Sequence, residues 1–145
     1  MAPLLVLAVI TGSARLIGRL GQFGWLDSWP HSARLGLAAM FLLTATAHFT
    51  QPRRAALIAM VPPRLPNPAA LVTLTGVLEL AGALGLLLPP FAPAAGLGLF
   101  VLLLVMFPAN IRAARAGTGM KTMPLPPRTV VQVVFLAACL LAALG

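Results

Sequence analysis

Residues 69–88, AALVTLTGVLELAGALGLLL, decide the fold of this chain. The stretch is 20 residues long, and Glu79 is its only ionisable side chain. A run of about 20 mainly apolar residues has the length of a helix that crosses the hydrocarbon core of a bilayer. Gly76, Gly82 and Ala83 share one helical face with Glu79, and small residues allow a second helix to approach closely. The stretch predicts a transmembrane helix whose central carboxyl points into a bundle.

The composition of the whole chain supports a membrane environment. Of its 145 residues, 60% are apolar and only 8% are charged. A soluble domain carries about 25% charged residues, and a small domain needs a large polar surface for its volume. We therefore expect the lipid bilayer to be the main partner of this protein.

Five apolar runs follow one another, separated by connections too short to hold an extramembrane domain. We expect an all-α transmembrane helix bundle with about five membrane segments. The second and fifth runs gain length from Arg34 and Arg128, whose stems can lie in the interface. The runs are residues 3–14, 35–49, 69–88, 91–107 and 130–144.

The first run is short, and Arg15 and Arg19 follow it. A signal peptide carries its basic residues before the apolar stretch, and here none precede it. We therefore interpret the run as an uncleaved helix, which crosses only if both guanidinium groups reach one membrane surface.

Basic residues are distributed unequally between the two ends of such a bundle. With five spans, seven of them lie on the side of Met1 and three on the other. Because cytoplasmic connections are enriched in Lys and Arg, we expect a multi-pass membrane protein with its N-terminus in the cytoplasm and its C-terminus outside. The seven are Arg53, Arg54, Arg64, Arg112, Arg115, Lys121 and Arg128; the three are Arg15, Arg19 and Arg34.

Residues 52–61 are predicted to form a short helix that lies along the membrane surface. Pro52 suits a first helical turn, and Pro62 stops the segment. Arg53 and Arg54 in the first turn oppose the helix dipole, so we expect both to contact lipid phosphates.

Several classes of function are disfavoured. The net charge of +8 is spread between apolar runs rather than over one soluble face, so no nucleic acid is expected. Cys139 is the only cysteine, which excludes a disulfide and a thiol pair. His31 and His48 flank one helix and lie about 25 Å apart, so they do not form a metal site with Glu79.

Glu79 has two interpretations that the sequence leaves open. A carboxyl near the bilayer midplane either fixes helix register through a partner or transfers protons and binds a ligand. Arg34, Thr44 and His48 share one face of the second run, and Arg34 is the ion-pair candidate. In an antiparallel pair, Glu79 would lie near the level of Phe41, roughly 10 Å from both Arg34 and His48.

Four polar features are expected at one membrane depth on the basic side: His48, Asn110, Gln132 and the turn at Pro62. Their convergence predicts a ligand pocket, to which Glu79 is added as a candidate. The sequence FPAN at residues 107–110 has a simpler interpretation as the end of the fourth helix. His48 likewise has two interpretations, a structural role and a ligand-binding role, and the sequence leaves both open.

Five separated motifs follow one another along the chain: RLGL at 34–37, AHF at 47–49, MVPP at 60–63 with Pro66, GVLEL at 76–80 and FPAN at 107–110. Together they resemble the DoxX-like family of small bacterial membrane proteins. The resemblance covers roughly residues 33–144 and implies a four-helix transmembrane core at 33–145, with residues 1–32 as an extra N-terminal helix and connection. It also implies a place in the bacterial cytoplasmic (inner) membrane.

The resemblance implies two functions, since some relatives are subunits of thiosulfate:quinone oxidoreductases and others associate with redox enzymes. One is a non-enzymatic membrane subunit or assembly partner, bound to another membrane protein or to a second copy. The other is a quinone-binding subunit that uses His48 and Glu79. A quinone is the only cofactor that either hypothesis requires.

Overall fold

The computed structural model of the chain describes residues 1–116 and 123–145, and Lys121 therefore lies outside the described residues. Over these residues the chain forms six helices and no strand, so the predicted all-α fold is confirmed. The helices are α1 (Ala2–Leu20), α2 (Trp29–Phe49), α3 (Arg53–Met60), α4 (Pro68–Leu87), α5 (Ala92–Ala116) and α6 (Leu125–Leu144).

Four of the helices form a ring in which each neighbour runs antiparallel to the last. In this ring α2 packs on α4, α4 on α5, α5 on α6, and α6 on α2. The fifth long helix, α1, packs on the outer side of α2, and the short helix α3 lies across one end against α2, α4 and α5. The ring encloses a core of Leu, Phe, Met and Ala side chains centred on Leu37, Phe41 and Leu99.

Proline and the short connections mark where the helices begin. Proline occupies the first or second position of α1, α2, α4 and α6, where its missing N–H leaves no hydrogen bond unmade. α3 begins at Arg53 and ends at Met60, close to the predicted 52–61. Between α4 and α5 the turn is tight, and Phe91 N–H donates to Leu88 O over 2.9 Å.

α1, α4, α5 and α6 are each long and apolar enough to cross a membrane. α2 is not in this group, yet it is the helix with the most buried residues in the described part of the chain. Its polar side chains bond to protein: Ser32 Oγ donates to Leu26 O at 2.8 Å, and Arg34 Nε donates to Ala142 O at 3.0 Å. α2 can therefore carry polar side chains, because α1, α4 and α6 pack around it and protein groups accept its hydrogen bonds.

The predicted helix end at residues 107–110 is wrong, because α5 continues through Pro108 to Ala116. A proline inside a helix removes one backbone hydrogen bond and costs about 3 kcal/mol. The turns beyond Pro108 are held by neighbouring elements. Arg112 donates to Val61 O, and Arg128 Nη1 donates to Asn110 Oδ1 at 3.1 Å. These contacts with the α3–α4 connection and with α6 offset the backbone hydrogen bond that is lost at Pro108.

Gly76 lets α2 and α4 approach closely. A methyl group placed on Gly76 would lie 2.6 Å from His48 Cβ, which is closer than two carbon atoms can pack. Gly82, predicted to share this face, instead lies against Leu99 of α5. The buried residues of α4, which face inward, are Val72, Gly76, Glu79, Ala83 and Leu86.

We expect Gly76→Ala to destabilise the protein, because the added methyl group must push His48 and α2 away from α4. Overpacking of this kind costs about 1–3 kcal/mol. The matched control is Gly98→Ala in α5, where nothing lies within 4 Å of the added carbon. The measurement is the free energy of unfolding in detergent. Equal effects of the two substitutions would show that the α2–α4 contact is not closely packed at Gly76.

Candidate functional site

The carboxyl of Glu79 is buried between α4 and α2, with 4% of the residue exposed. Thr44 Oγ1 donates a hydrogen bond of 2.7 Å to Glu79 Oε2, and Glu79 Oε1 lies 3.4 Å from His48 Nε2. Both contacts cross from α2 to α4, so each oxygen of the carboxyl has a partner on the neighbouring helix.

The imidazole of His48 is equally enclosed, with 3% of the residue exposed. Its Nδ1 lies 2.8 Å from Val72 O and 3.2 Å from Thr75 Oγ1. A carbonyl oxygen can only accept, so Nδ1 carries a proton and donates it to Val72 O. The ring orientation is thereby defined, and Nε2 is the nitrogen directed at Glu79.

This arrangement brings His48 Nε2 to 3.4 Å from Glu79 Oε1, so one proton can lie on either of the two atoms. Since Nδ1 is protonated, the pair is either a neutral imidazole beside a carboxylic acid or an imidazolium beside a carboxylate. Thr44 suits both forms, because its hydroxyl lies 2.7 Å from Glu79 Oε2, the oxygen that does not face His48. It donates to Oε2 in both, since that atom is a carboxylate oxygen in one form and the carbonyl oxygen of the acid in the other. The pair can therefore exchange a proton without carrying net charge.

Arg34 is not the partner of Glu79, and the predicted ion pair between them is wrong. Its Nε donates to Ala142 O near the end of α6, where the helix dipole places partial negative charge. The expected 10 Å gap between His48 and Glu79 is also wrong, because α2 and α4 pack in a different register. Gly76 lies against His48, so Glu79, one turn further along α4, lies near Thr44 rather than at the level of Phe41.

The two arginines at the start of α3 have different surroundings. Arg54 donates to His48 O, to Thr73 Oγ1 at 3.0 Å and to Ala69 O at 3.3 Å, so it bonds to protein and joins the end of α2 to α4. Arg53 is exposed, and it lines a cavity that reaches Glu79. The predicted lipid-phosphate contacts of Arg53 and Arg54 both remain predictions.

A cavity of about 520 Å³, named here the polar cavity, opens beside the His48–Glu79 pair. Its volume lies in the range of small-molecule sites. All four predicted pocket residues, His48, Glu79, Asn110 and Gln132, lie on its walls. The remaining wall is mostly apolar, with Met40, Phe41, Leu43, Ala47, Leu57, Leu103, Met106 and Phe135 among its residues.

The two amides of the polar cavity are held by protein contacts. Gln132 Nε2 donates to Leu103 O over 2.9 Å, in the turn of α5 that precedes Pro108. Asn110 Oδ1 accepts from Arg128. Pro62, the fourth predicted feature, lines a neighbouring cavity together with His48 and Asn110.

Thr44, Thr73 and Thr75 contribute hydrogen bonds that the sequence did not assign to them. Thr75 and Glu79 are four residues apart and so share a helical face. This spacing alone could have indicated that Thr75 belongs to the same contact. His31 lies elsewhere, stacked on Trp25 with ring centroids 4.6 Å apart. Within residues 1–116 and 123–145 no three His, Cys, Asp or Glu side chains are grouped to hold a metal ion.

The chain belongs to the family described as a domain of unknown function, DUF8561, which it matches over residues 37–143. The match begins inside α2 and ends inside α6, so it covers most of the four-helix ring and excludes α1. No curated protein and no solved structure matches the chain significantly.

We expect Glu79→Gln to be tolerated and Glu79→Lys to be strongly destabilising. A glutamine can accept from Thr44 and donate to His48 Nε2, so the loss should be within about 1 kcal/mol. A lysine places a buried ammonium against the imidazole with no carboxylate to compensate it, at a cost of about 3 kcal/mol or more. Thermal unfolding in detergent measures both. If Glu79→Gln unfolds as readily as Glu79→Lys, the ionised pair is the form that holds α2 to α4.

Proposed function

We propose that this chain is a membrane subunit that binds a ligand of the quinone class beside the His48–Glu79 pair. The observation that carries the proposal is that two buried ionisable groups lie 3.4 Å apart on the wall of a cavity of about 520 Å³. A mostly apolar pocket with a few convergent polar groups is the usual form of a small-molecule site. A quinone combines an apolar ring with two carbonyl oxygens that take up protons.

Two of the polar residues donate hydrogen bonds to the ligand, and two others transfer protons. Both ring nitrogens of His48 already face protein acceptors, so hydrogen bonds to the ring carbonyls fall to the NH2 groups of Asn110 and Gln132. Reduction of a quinone to a quinol takes up two protons as well as two electrons. Glu79 transfers the one proton that the pair holds to a carbonyl oxygen, water at the exposed Arg53 end of the cavity protonates the pair again, and the second proton follows the same route. The two electrons come from a redox protein partner, because the chain has a single cysteine and no thiol pair.

A second candidate function is that of an assembly or scaffold subunit without a ligand. This candidate is favoured because polar side chains of the site already hydrogen-bond to other groups of the protein. Thr44, His48 and Thr75 join α2 to α4 whether or not a ligand is present. A DoxX-like subunit of a redox system is compatible with both candidates.

We further propose that all five long helices cross a bacterial cytoplasmic membrane. α2 has 21 residues, about 30 Å of helix, and it packs along the apolar helices α1, α4 and α6. Met1 and Arg53 line the same cavity as Asn110, so the basic connections lie at the end of the bundle where α1 begins. That end faces the cytoplasm by the usual distribution of basic residues.

Native mass spectrometry of protein extracted in mild detergent from its host membrane tests the ligand. We expect a stoichiometric adduct of quinone mass on the wild type. Asn110→Leu and His48→Ala should lose it, because the first removes a hydrogen-bond donor and the second removes both a wall of the cavity and the proton partner of Glu79. His31→Ala is the matched control and should keep the adduct, since His31 stacks on Trp25 away from the cavity.

A wild-type protomer that carries no such adduct contradicts the quinone proposal. If it carries another polypeptide instead, the assembly function becomes the better one. Retention of the adduct in both His48→Ala and Asn110→Leu would place the ligand elsewhere on the protein.

Labelling of single cysteines tests the five spans and their direction. In a Cys139→Ala background we expect Gly24→Cys, in the α1–α2 connection, to react with a membrane-impermeant maleimide on intact cells. Arg64→Cys, in the α3–α4 connection, should react only after the membrane is opened. Both residues are exposed in the structure. Reaction of both from the same side would show that α2 does not cross.

A further inference from the structure

A second cavity lies directly beside the polar cavity, in a part of the bundle that the proposed proton chemistry does not use. It measures about 210 Å³ and is enclosed by α3, the α3–α4 connection, α4 and α5. We name it the apolar cavity, because its lining is dominated by side chains such as Met60, Val61, Leu65, Leu71, Val105 and Pro108.

The two cavities share a wall. His48, Leu57, Met106 and Asn110 each line both of them. Leu57 and Met106 are half-buried, and methionine in particular is flexible enough to change rotamer without moving its helix. At these residues the partition between the polar and the apolar cavity therefore includes side chains that can change rotamer.

We propose that the apolar cavity holds the first part of a hydrocarbon side chain whose ring occupies the polar cavity. This inference rests on the proposed function and adds to it the class of ligand, a ring that carries an apolar tail. A dry cavity of about 150 Å³ is sufficient for a benzene molecule, so about 210 Å³ accommodates one short branched unit.

The chemistry of each cavity matches one part of such a ligand. The carboxyl, imidazole and amide groups lie on the polar cavity, where a ring with carbonyl oxygens needs hydrogen bonds. On the apolar cavity, His48, Thr75 and Asn110 are the polar side chains, and the first two already bond to Val72 O. An apolar tail there leaves no hydrogen bond unmade, whereas a polar ligand would find few partners.

Binding of two compounds to the purified full chain tests the inference. The first is a substituted benzoquinone without a side chain, and the second is the same ring with one isoprenyl chain. The filled variants are Leu71→Trp in α4 and Met60→Trp in α3, which place an indole in the apolar cavity. The matched control is Leu74→Trp, three residues along α4 and 53% exposed.

We expect each filled variant to bind the isoprenyl compound at least about tenfold more weakly than wild type, equivalent to losing about two buried methylene groups. Binding of the bare ring should be unchanged, which also shows that the variant is folded. Leu74→Trp should bind both compounds as wild type does. Comparing one compound across variants removes the effect of its partition into detergent.

Unchanged binding of the isoprenyl compound in both filled variants overturns the proposal that the apolar cavity holds the hydrocarbon tail, but it does not contradict the quinone proposal. An equal loss for both compounds in both variants also overturns it, because the apolar cavity would then serve the ring site only as support. If wild type binds neither compound, the proposed function fails and the tail compartment fails with it.

Discussion

The contact between α2 and α4 depends on one buried carboxyl. Burying Glu79 without partners would cost several kcal/mol, since an isolated charge or an unpaired polar group is poorly solvated inside a protein. Thr44 and His48 supply both partners from α2, and Gly76 removes the side chain that would keep the helices apart. The position of α2 against α4, and with it the rest of the ring, follows from satisfying this group.

Other charged groups of the bundle are also satisfied by protein. Arg34 donates to a carbonyl at the end of α6, and Arg54 donates to carbonyls of α2 and α4. The second acid of the chain, Asp27, pairs with Arg15 in the connection between α1 and α2. Asp27 and Glu79 are the only acids in the sequence, so the more buried arginines donate to backbone carbonyls instead, as Arg112 and Arg128 also do. Carbonyls at helix ends have capacity to accept.

The same network that holds the bundle together is suited to chemistry. His48 is oriented by Val72 O, so a proton between it and Glu79 has a defined path over 3.4 Å. Side chains such as Leu57 and Met106 form the adjoining wall, which can adapt to a ligand while the polar groups stay in place. A polar pair held in place by hydrogen bonds, beside an adaptable apolar wall, is the arrangement that the proposed membrane-dissolved ligand requires.

The sequence by itself determined the all-α class, the approximate limits of the long helices and the inward direction of Glu79, because composition and helical periodicity are local properties. Counting the spans along the sequence also placed His48, Asn110 and Gln132 at one end of the bundle. Only the tertiary structure decided that Glu79 meets His48 and not Arg34, and that α5 continues beyond Pro108. The physical reason is that these outcomes depend on distances between helices, which are set by side-chain packing at residues such as Gly76 and by contacts far apart in the chain.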